Sequence, residues 1–179
     1  TSSVGQPKVA SAAAAMAAIN PEVQVHTVTA RADAALLDTL VPQVDVVLDC
    51  SDNFSTRQAI NRACVQHGKP LVAGAAIRFD GQVSVYDSRQ PQAPCYACVF
   101  PPDQQPEEVQ CATMGVFSPI VGIIGAVQAA EALKLLSGAG TPLAGRLLML
   151  DGRPMAWSEI RMARDPACAV CGKQHAGAL

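Results

Sequence analysis

The sequence is poor in charged residues and carries no excess of positive charge. Only 16% of its 179 residues are charged, the formal net charge is −2, and the pI is about 5.8. A protein that binds duplex nucleic acid needs a basic surface to neutralise phosphates, so this composition argues against that class of partner. The amino-terminal residues also lack the basic and then apolar layout of a signal peptide. Half of the residues are apolar, which is typical of a folded globular domain.

A long apolar run without polar interruption is also missing. The most apolar stretch contains Pro119 and three glycines, followed by Gln128, Glu131 and Lys134 at every third position. A membrane span needs about twenty mostly apolar residues without such a polar stripe. We therefore expect a buried helix near residues 117–137, with the polar stripe as its solvent-exposed edge, and no membrane segment.

The sequence has no Gly-x-Gly-x-x-Gly motif, although a nucleotide-binding α/β unit normally opens with a strand and such a turn. It begins instead with an alanine-rich helix whose first turn follows Pro7. A chain that begins with the helix, without the preceding strand and turn, is expected to begin in the middle of a fold unit.

Apolar strands alternate with helices in the first half of the sequence. The predicted strands are residues 23–28, 44–50 and 69–77, and the predicted helices between them are residues 33–40 and 54–67. Such alternation is typical of a parallel sheet covered on both faces. In the longer helix, Ser55 and Gln58 have the spacing of a capping box, and Gly68 is placed to end the helix.

The pattern changes to antiparallel hairpins after residue 76. Residues 76–86 predict a hairpin with Asp80–Gly81 as its turn, and residues 145–151 and 155–163 predict a second hairpin. The fold class is therefore α/β, with a partial doubly wound (Rossmann-like) parallel sheet that antiparallel hairpins extend.

Seven cysteines without a secretory signal indicate a reducing compartment. Four of them form two Cys-x-x-Cys pairs in proline-containing loop sequence: Cys95, Cys98, Cys168 and Cys171. Two such pairs supply the four thiolates of a closed, structural zinc site, which has no open position for a substrate. A redox couple needs one pair at a helix start in a thioredoxin-like unit, a setting that neither pair has, and unrelated thiols are the other alternative. Cys50 and Cys64 are interpreted as core residues.

Taken in order, these segments resemble the HesA/MoeB/ThiF family, the prokaryotic relatives of ubiquitin-activating enzymes. The resemblance covers nearly the whole chain, and it is carried by VGQPKV, VLDCSDNFSTRQAIN, PLVAGAAIRFDGQVSVY, CYAC, GVFSPIVGIIGAVQAAEALKLLSG and CAVCG. It implies a cytoplasmic homodimer with structural zinc. It also implies an enzyme that uses ATP and Mg²⁺ to adenylate the carboxy-terminal glycine of a ubiquitin-like sulfur carrier ending in Gly-Gly.

The resemblance also implies roles for individual residues. Asp52 and Asn53 match the family's nucleotide-contacting pair, and Lys8 matches a lysine that contacts the ATP phosphates. Asp52 follows a central strand, at the edge where doubly wound sheets bind ligands, and a carboxylate there can hold Mg²⁺. Residue type alone favours a helix cap at this turn, and the family match reverses that preference. Cys111 matches a cysteine of the crossover loop that forms an acyl link in some members, with an inert thiol as the alternative.

Other charged residues are left outside the expected site. Asp49 is interpreted as a capping or turn residue, and Arg57 as a surface arginine.

The family's glycine-rich loop, ribose-binding acidic residue and further phosphate-binding residues would precede Thr1. We therefore expect this chain to be the carboxy-terminal portion of an adenylyltransferase, inactive by itself. It would form one domain over residues 1–179, with the rest of the nucleotide-binding half in residues 1–76. The hairpins, crossover loop and zinc site would lie in residues 77–179.

Three functional alternatives remain. Residues 74–86 favour the molybdopterin-synthase type of carrier over the thiamine type. A non-catalytic, zinc-stapled fragment that only binds a carrier is an alternative of another class. A nicotinamide-dependent dehydrogenase is disfavoured, because the dinucleotide motif is missing and neither His26 nor His67 has a catalytic setting.

Overall fold

The computed structural model describes residues 3–103 and 114–172, and the chain forms two compact units, residues 1–31 and 32–179. The first unit contains one helix, α1 (Lys8–Ile19), which has no buried residue. The strand expected over residues 23–28 is not formed, and that prediction was wrong. A strand requires a hydrogen-bonded neighbour, and no described strand pairs with these residues. The single domain divided at residue 76 stays a prediction.

The second unit is built around a mixed five-stranded sheet. In chain order its elements are α2 (Ala34–Leu40), a 3₁₀ turn (Val41–Gln43), β1 (Val47–Asp49), α3 (Phe54–Gln66), β2 (Leu71–Ile77), β3 (Asp80–Tyr86), α4 (Tyr96–Val99), α5 (Ser118–Ser137), β4 (Arg146–Asp151) and β5 (Ala156–Arg161). The strand order is β1-β2-β3-β4-β5, with β1 and β2 parallel and the other neighbours antiparallel. This confirms the α/β fold with a parallel part extended by hairpins.

Helices cover both faces of the sheet at β2 and β3, whereas all six residues of β5 are exposed. Side chains alternate between the two faces along each strand. Leu71 and Tyr86 belong to a buried cluster with residues of α2 and α3. Val72 and Val83, on the other face, belong to a cluster with residues of α5. The carboxyl end of β1 and the start of α3 therefore lie at one edge of a well-packed sheet.

The β2–β3 hairpin turns two residues earlier than the sequence indicates. Ile77 pairs with Asp80, so residues 78–79 form the turn, and Gly81 lies within β3. A Cβ atom on Gly81 would lie 2.6 Å from the side chain of Ile124. Gly81 therefore allows α5 to pack closely against β3. It does not form the turn that the Asp80–Gly81 pair predicts.

Helix α5 packs on the sheet with its polar stripe inward. Its buried residues are Ile120, Ile124, Gln128, Glu131 and Ala132. The expectation that Gln128 and Glu131 form a solvent-exposed edge was wrong, because both hydrogen-bond backbone groups inside the fold. Val121 and Leu133 are exposed instead. By length and composition α5 could cross a membrane, with a mean hydropathy of 1.6 over a window that is 28% buried, and its buried residues pack on the sheet.

Candidate functional site

The chain passes from β1 into α3 through a short polar turn, residues 50–53. Asn53 is the helix cap: its side-chain oxygen accepts hydrogen bonds from the backbone N–H of Thr56 at 2.8 Å and the hydroxyl of Ser55 at 2.9 Å. The capping box expected to start at Ser55 does not form, because the cap lies two residues earlier. At the other end of α3, Gly68 follows the helix with a φ of 61°, as the sequence predicts for a stop.

The carboxylate of Asp52 is exposed in this turn. Because Asn53 caps the helix, Asp52 is not needed for that role. No group within residues 3–103 and 114–172 hydrogen-bonds the Asp52 side chain. A free carboxylate thus stands at the carboxyl end of a parallel strand, the edge at which open α/β sheets bind their ligands.

A buried ion pair lies behind the turn. Asp49 is 1% exposed, and its Oδ1 accepts a hydrogen bond from the Ser51 N–H at 2.8 Å, so its expected role as a turn residue is confirmed. Arg57 places Nη1 3.9 Å from Asp49 Oδ2 and donates from Nη2 to the Ser51 carbonyl. Interpreting Arg57 as a surface residue was therefore wrong. An arginine in the first turn of a helix that follows a buried strand carboxylate is the signal that could have identified it.

Gln128 of α5 secures the same strand end from the other face of the sheet. Its Nε2 donates to the backbone carbonyls of Asp49 at 2.9 Å and Val72 at 3.2 Å. Its Oε1 lies 3.6 Å from the sulfur of Cys50, which is exposed and not a core residue as expected. A Cβ on Gly74 would come within 2.3 Å of the Gln128 side chain, so β2 needs glycine at this point.

The two Cys-x-x-Cys pairs come together in the fold. The sulfur atoms of Cys95 and Cys98 are 3.9 Å apart, those of Cys95 and Cys168 3.7 Å, and those of Cys98 and Cys171 3.4 Å. All four lie within 4.8 Å of one another. Zn–S bonds of about 2.3 Å in a tetrahedron place sulfurs about 3.8 Å apart, so these residues could hold a zinc ion with little rearrangement.

Hydrogen bonds hold both pairs in place. Arg164 donates to the carbonyls of Pro91 and Cys171, each at 2.7 Å, which joins the two cysteine loops. The backbone N–H of Gly172 donates to the Cys168 carbonyl at 2.9 Å. Hydrogen bonds to backbone carbonyls therefore hold the second cysteine pair beside the first, in addition to the contacts between sulfur atoms.

The electrostatics of the cluster favour a cation. The contact between the Cys95 and Cys98 sulfurs lowers the pKa of Cys98 and raises the pKa of Cys95. Four sulfurs this close cannot all carry charge unless a cation compensates them. A divalent metal would stabilise all four as thiolates, so the donor set fits a closed structural site. Cys64, by contrast, is an inert core thiol whose pKa burial raises to about 12.

The cysteine cluster packs against the second half of α3, whereas Asp52 precedes the helix. Val65, near the end of the helix, packs in the cluster formed by Cys95 and Cys171. Asn61 also contacts Cys95, and at 1.5 Å per residue it lies about 10 Å along the helix from the start of α3. A metal held by the cysteines would therefore support the fold without reaching Asp52.

Two predicted site residues belong to other parts of the chain. Lys8 is exposed at the first position of α1, in the first unit, and its role at phosphate stays a prediction. Cys111 lies outside the described residues, and its role also stays a prediction.

The fold and these two features define a class: a Rossmann-like α/β domain with a free carboxylate after a parallel strand and four clustered cysteines that could hold a metal. The ThiF family model matches residues 1–170, and the chain belongs to the ThiF family. The chain is 41% identical over 170 residues to "Molybdopterin-synthase adenylyltransferase" of Escherichia coli. This alignment covers 95% of this chain and 68% of that protein. It is 40% identical over 176 residues to "Sulfur carrier protein ThiS adenylyltransferase" of the same organism, covering 98% of this chain and 69% of that protein.

Solved structures support the fold. The crystal structure of E. coli MccB with ATP superimposes with a TM-score of 0.77 over 94% of this chain, at 19% sequence identity. The chain spans about half (52%) of that protein.

Proposed function

We propose that this chain forms part of an ATP-dependent adenylyltransferase that activates the carboxy-terminal glycine of a ubiquitin-like sulfur carrier. The observation that carries the proposal is the free, exposed carboxylate of Asp52 beside the start of α3. The relatives named above are adenylyltransferases of molybdopterin synthase and of a sulfur carrier protein, which supports the same reaction class.

The turn is preorganised for an anionic, metal-bearing ligand. Asn53 uses its side chain to fix the start of α3, whose amino end carries partial positive charge. Asp49 and Arg57 hold the backbone at Ser51 from behind. Asp52 would hold Mg²⁺, which neutralises phosphate charge when ATP is bound.

The reaction needs positioning more than covalent chemistry by the protein. The carrier's terminal carboxylate attacks the α-phosphorus of ATP, a new P–O bond forms, and the bond to the pyrophosphate leaving group breaks. Holding the two anions in line and screening their repulsion accounts for most of the catalysis in such a step. Lys8 would contact the phosphates, and Cys111 would meet the carrier's tail in the crossover loop.

The carrier is of the molybdopterin-synthase small-subunit type, and the pathway is molybdenum cofactor biosynthesis. This assignment depends on residues 74–86, since identities of 41% and 40% to the two kinds of relative do not separate them. The thiamine-pathway carrier is the alternative. We further propose that the working enzyme is a cytoplasmic homodimer and that the 179-residue chain is inactive alone.

The test is ATP–pyrophosphate exchange by the full-length protein, with each class of carrier added separately. Replacing Asp52 by Ala should reduce carrier-dependent exchange at least ~100-fold, the usual cost of removing a group that stabilises transition-state charge. The melting temperature should not change, because the side chain is exposed and makes no described contact. Asp45→Ala is the matched control, since Asp45 is exposed near the opposite end of β1.

Near-normal exchange by Asp52→Ala would remove Asp52 from the mechanism. A protein that binds a carrier but exchanges no pyrophosphate with either class would support the non-catalytic alternative.

A further inference from the structure

Asn61 is a buried polar residue of α3 that lies beside the cysteine cluster. It is 1% exposed, and both ends of its amide are used. Its Oδ1 accepts a hydrogen bond from the backbone N–H of Tyr96 at 2.9 Å. Its Nδ2 lies 3.7 Å from the sulfur of Cys95 and donates to it. Cys95 is itself 1% exposed, so water cannot easily replace this donor.

The contact between Asn61 Nδ2 and the Cys95 sulfur would stabilise a metal-bound cluster. Four thiolates around one divalent cation carry a net charge of −2, and burial of such a charge is costly unless donors offset it. An amide N–H directed at a ligand sulfur withdraws charge from it and fixes its orientation, as partners around metal ligands generally do. A carboxylate in the same position would keep the acceptor for Tyr96 but face the sulfur with a negative charge.

A neighbour on the same helix shows what a purely structural amide does. Gln58, one turn earlier, is also buried, and its Nε2 donates to the carbonyl of Phe100 at 2.6 Å. Both amides thus fasten α3 to the segment that carries the first cysteine pair, but no contact of Gln58 with a sulfur is described.

We propose that Asn61 is an outer partner of the metal site, which stabilises the metal-bound Cys95 thiolate through its Nδ2 donor and slows metal loss. The inference rests on a metal held by the four cysteines, and not on the adenylation reaction. Asn61 acts through Cys95 and does not touch the metal.

The experiment measures zinc release from the full chain to 4-(2-pyridylazo)resorcinol. Asn61→Asp keeps the acceptor for Tyr96 and removes the donor to sulfur, so release should be 10- to 100-fold faster than from the parent, the range seen when metal-site partners are removed. Asn61→Ala should also release faster. Gln58→Ala is the matched control, and its release should stay within about twofold of the parent.

A spectroscopic measurement separates the effect of the Asn61 hydrogen bond to sulfur from an effect of packing. It can still be made on the second variant if one variant folds poorly. In the cobalt-substituted protein, the sulfur-to-metal charge-transfer band should move to longer wavelength in both Asn61→Asp and Asn61→Ala, because an undonated thiolate is easier to oxidise. Gln58→Ala should leave the band in place.

Two results would overturn the inference. One is zinc release from Asn61→Asp at the parent rate with an unmoved cobalt band. The other is equal acceleration by Gln58→Ala, which would reduce Asn61 to a packing residue. Purified parent protein without zinc would overturn the metal site itself, while pyrophosphate exchange would still report on the adenylation proposal.

Discussion

Gly74 and Gln128 illustrate how single residues define the edge at which Asp52 stands. Gln128 reaches over β2 to the carbonyl of Asp49 only because Gly74 has no side chain. Replacing Gly74 by Ala should destabilise the protein by ~1–3 kcal/mol, as overpacking of a filled interior does, since the new methyl overlaps a side chain held by two hydrogen bonds. Urea denaturation measures this loss.

Gly122 supplies the control for that substitution. It lies on the exposed face of α5, and a Cβ atom added to it would have no neighbour within 4 Å, so Gly122→Ala should stabilise the protein by ~0.5–1 kcal/mol. The double variant Gly74→Ala, Gln128→Ala should lose less stability than the sum of the two single variants. Additive losses, or a Gly74→Ala protein as stable as the parent, would show that the overlap is relieved elsewhere.

Residue-level prediction from sequence succeeded where the chemistry of a motif is self-contained. The spacing of Cys95, Cys98, Cys168 and Cys171 was enough to predict that they meet, and they do. Asn61 was missed because nothing about an asparagine on a helix says that its side chain faces inward, and Arg57 was missed because its position after a buried strand carboxylate was not used. Their roles depend on partners about eight and thirty-four positions away, at Asp49 and Cys95.

At the scale of elements, the polar stripe of α5 is the most informative correction. Periodicity shows that Gln128, Glu131 and Lys134 share one face. It cannot show that buried backbone groups form hydrogen bonds with the side chains of Gln128 and Glu131. Glu131 is buried, its Oε2 accepts a hydrogen bond from the Leu143 N–H at 2.7 Å, and its Oε1 pairs with Lys134. The helix therefore anchors the segment that leads into β4.

Glu131→Ala should destabilise the protein by ~1–3 kcal/mol, because it leaves the buried Leu143 N–H without its acceptor. Thermal denaturation measures the change. Leu133→Ala on the opposite face is the control: Leu133 is 65% exposed, and its loss should change stability by less than ~0.5 kcal/mol. If Leu133→Ala proves the more damaging of the two, the inward orientation of the stripe is wrong.

The second hairpin and the predicted strand at residues 23–28 show which elements can be predicted from sequence. β4 and β5 follow each other directly, so each has its partner a few residues away, and their alternation was sufficient. Residues 23–28 have the same local pattern but no described neighbour, and they form no strand in the described chain. Strand propensity is thus realised only where the described chain also provides a hydrogen-bonded partner.

At the scale of the whole molecule, the cysteine cluster ties together parts of the chain that are about 70 residues apart. The segment between the two pairs contains α5 and the β4–β5 hairpin, so a bound metal would close a loop around about two fifths of the protein. By analogy with covalent cross-links, closing a loop of this length restricts the unfolded chain by about 4 kcal/mol. The cluster thus favours the folded state chiefly by its position in the chain.

Removal of the metal should therefore lower the melting temperature by about 10 °C, taking ~2–4 °C per kcal/mol for a domain of this size. Metal analysis should find one zinc per chain in the parent, and chelation or Cys168→Ser should produce the lower melting temperature in scanning calorimetry. Cys50→Ser is the control, because Cys50 is exposed and outside the cluster, and it should retain one zinc. Since Asp52 stands at the far end of α3, its exposed carboxylate should remain available below the new melting temperature. A chelated protein that melts where the parent melts would mean that Arg164 and the backbone contacts already hold the two pairs together without a metal.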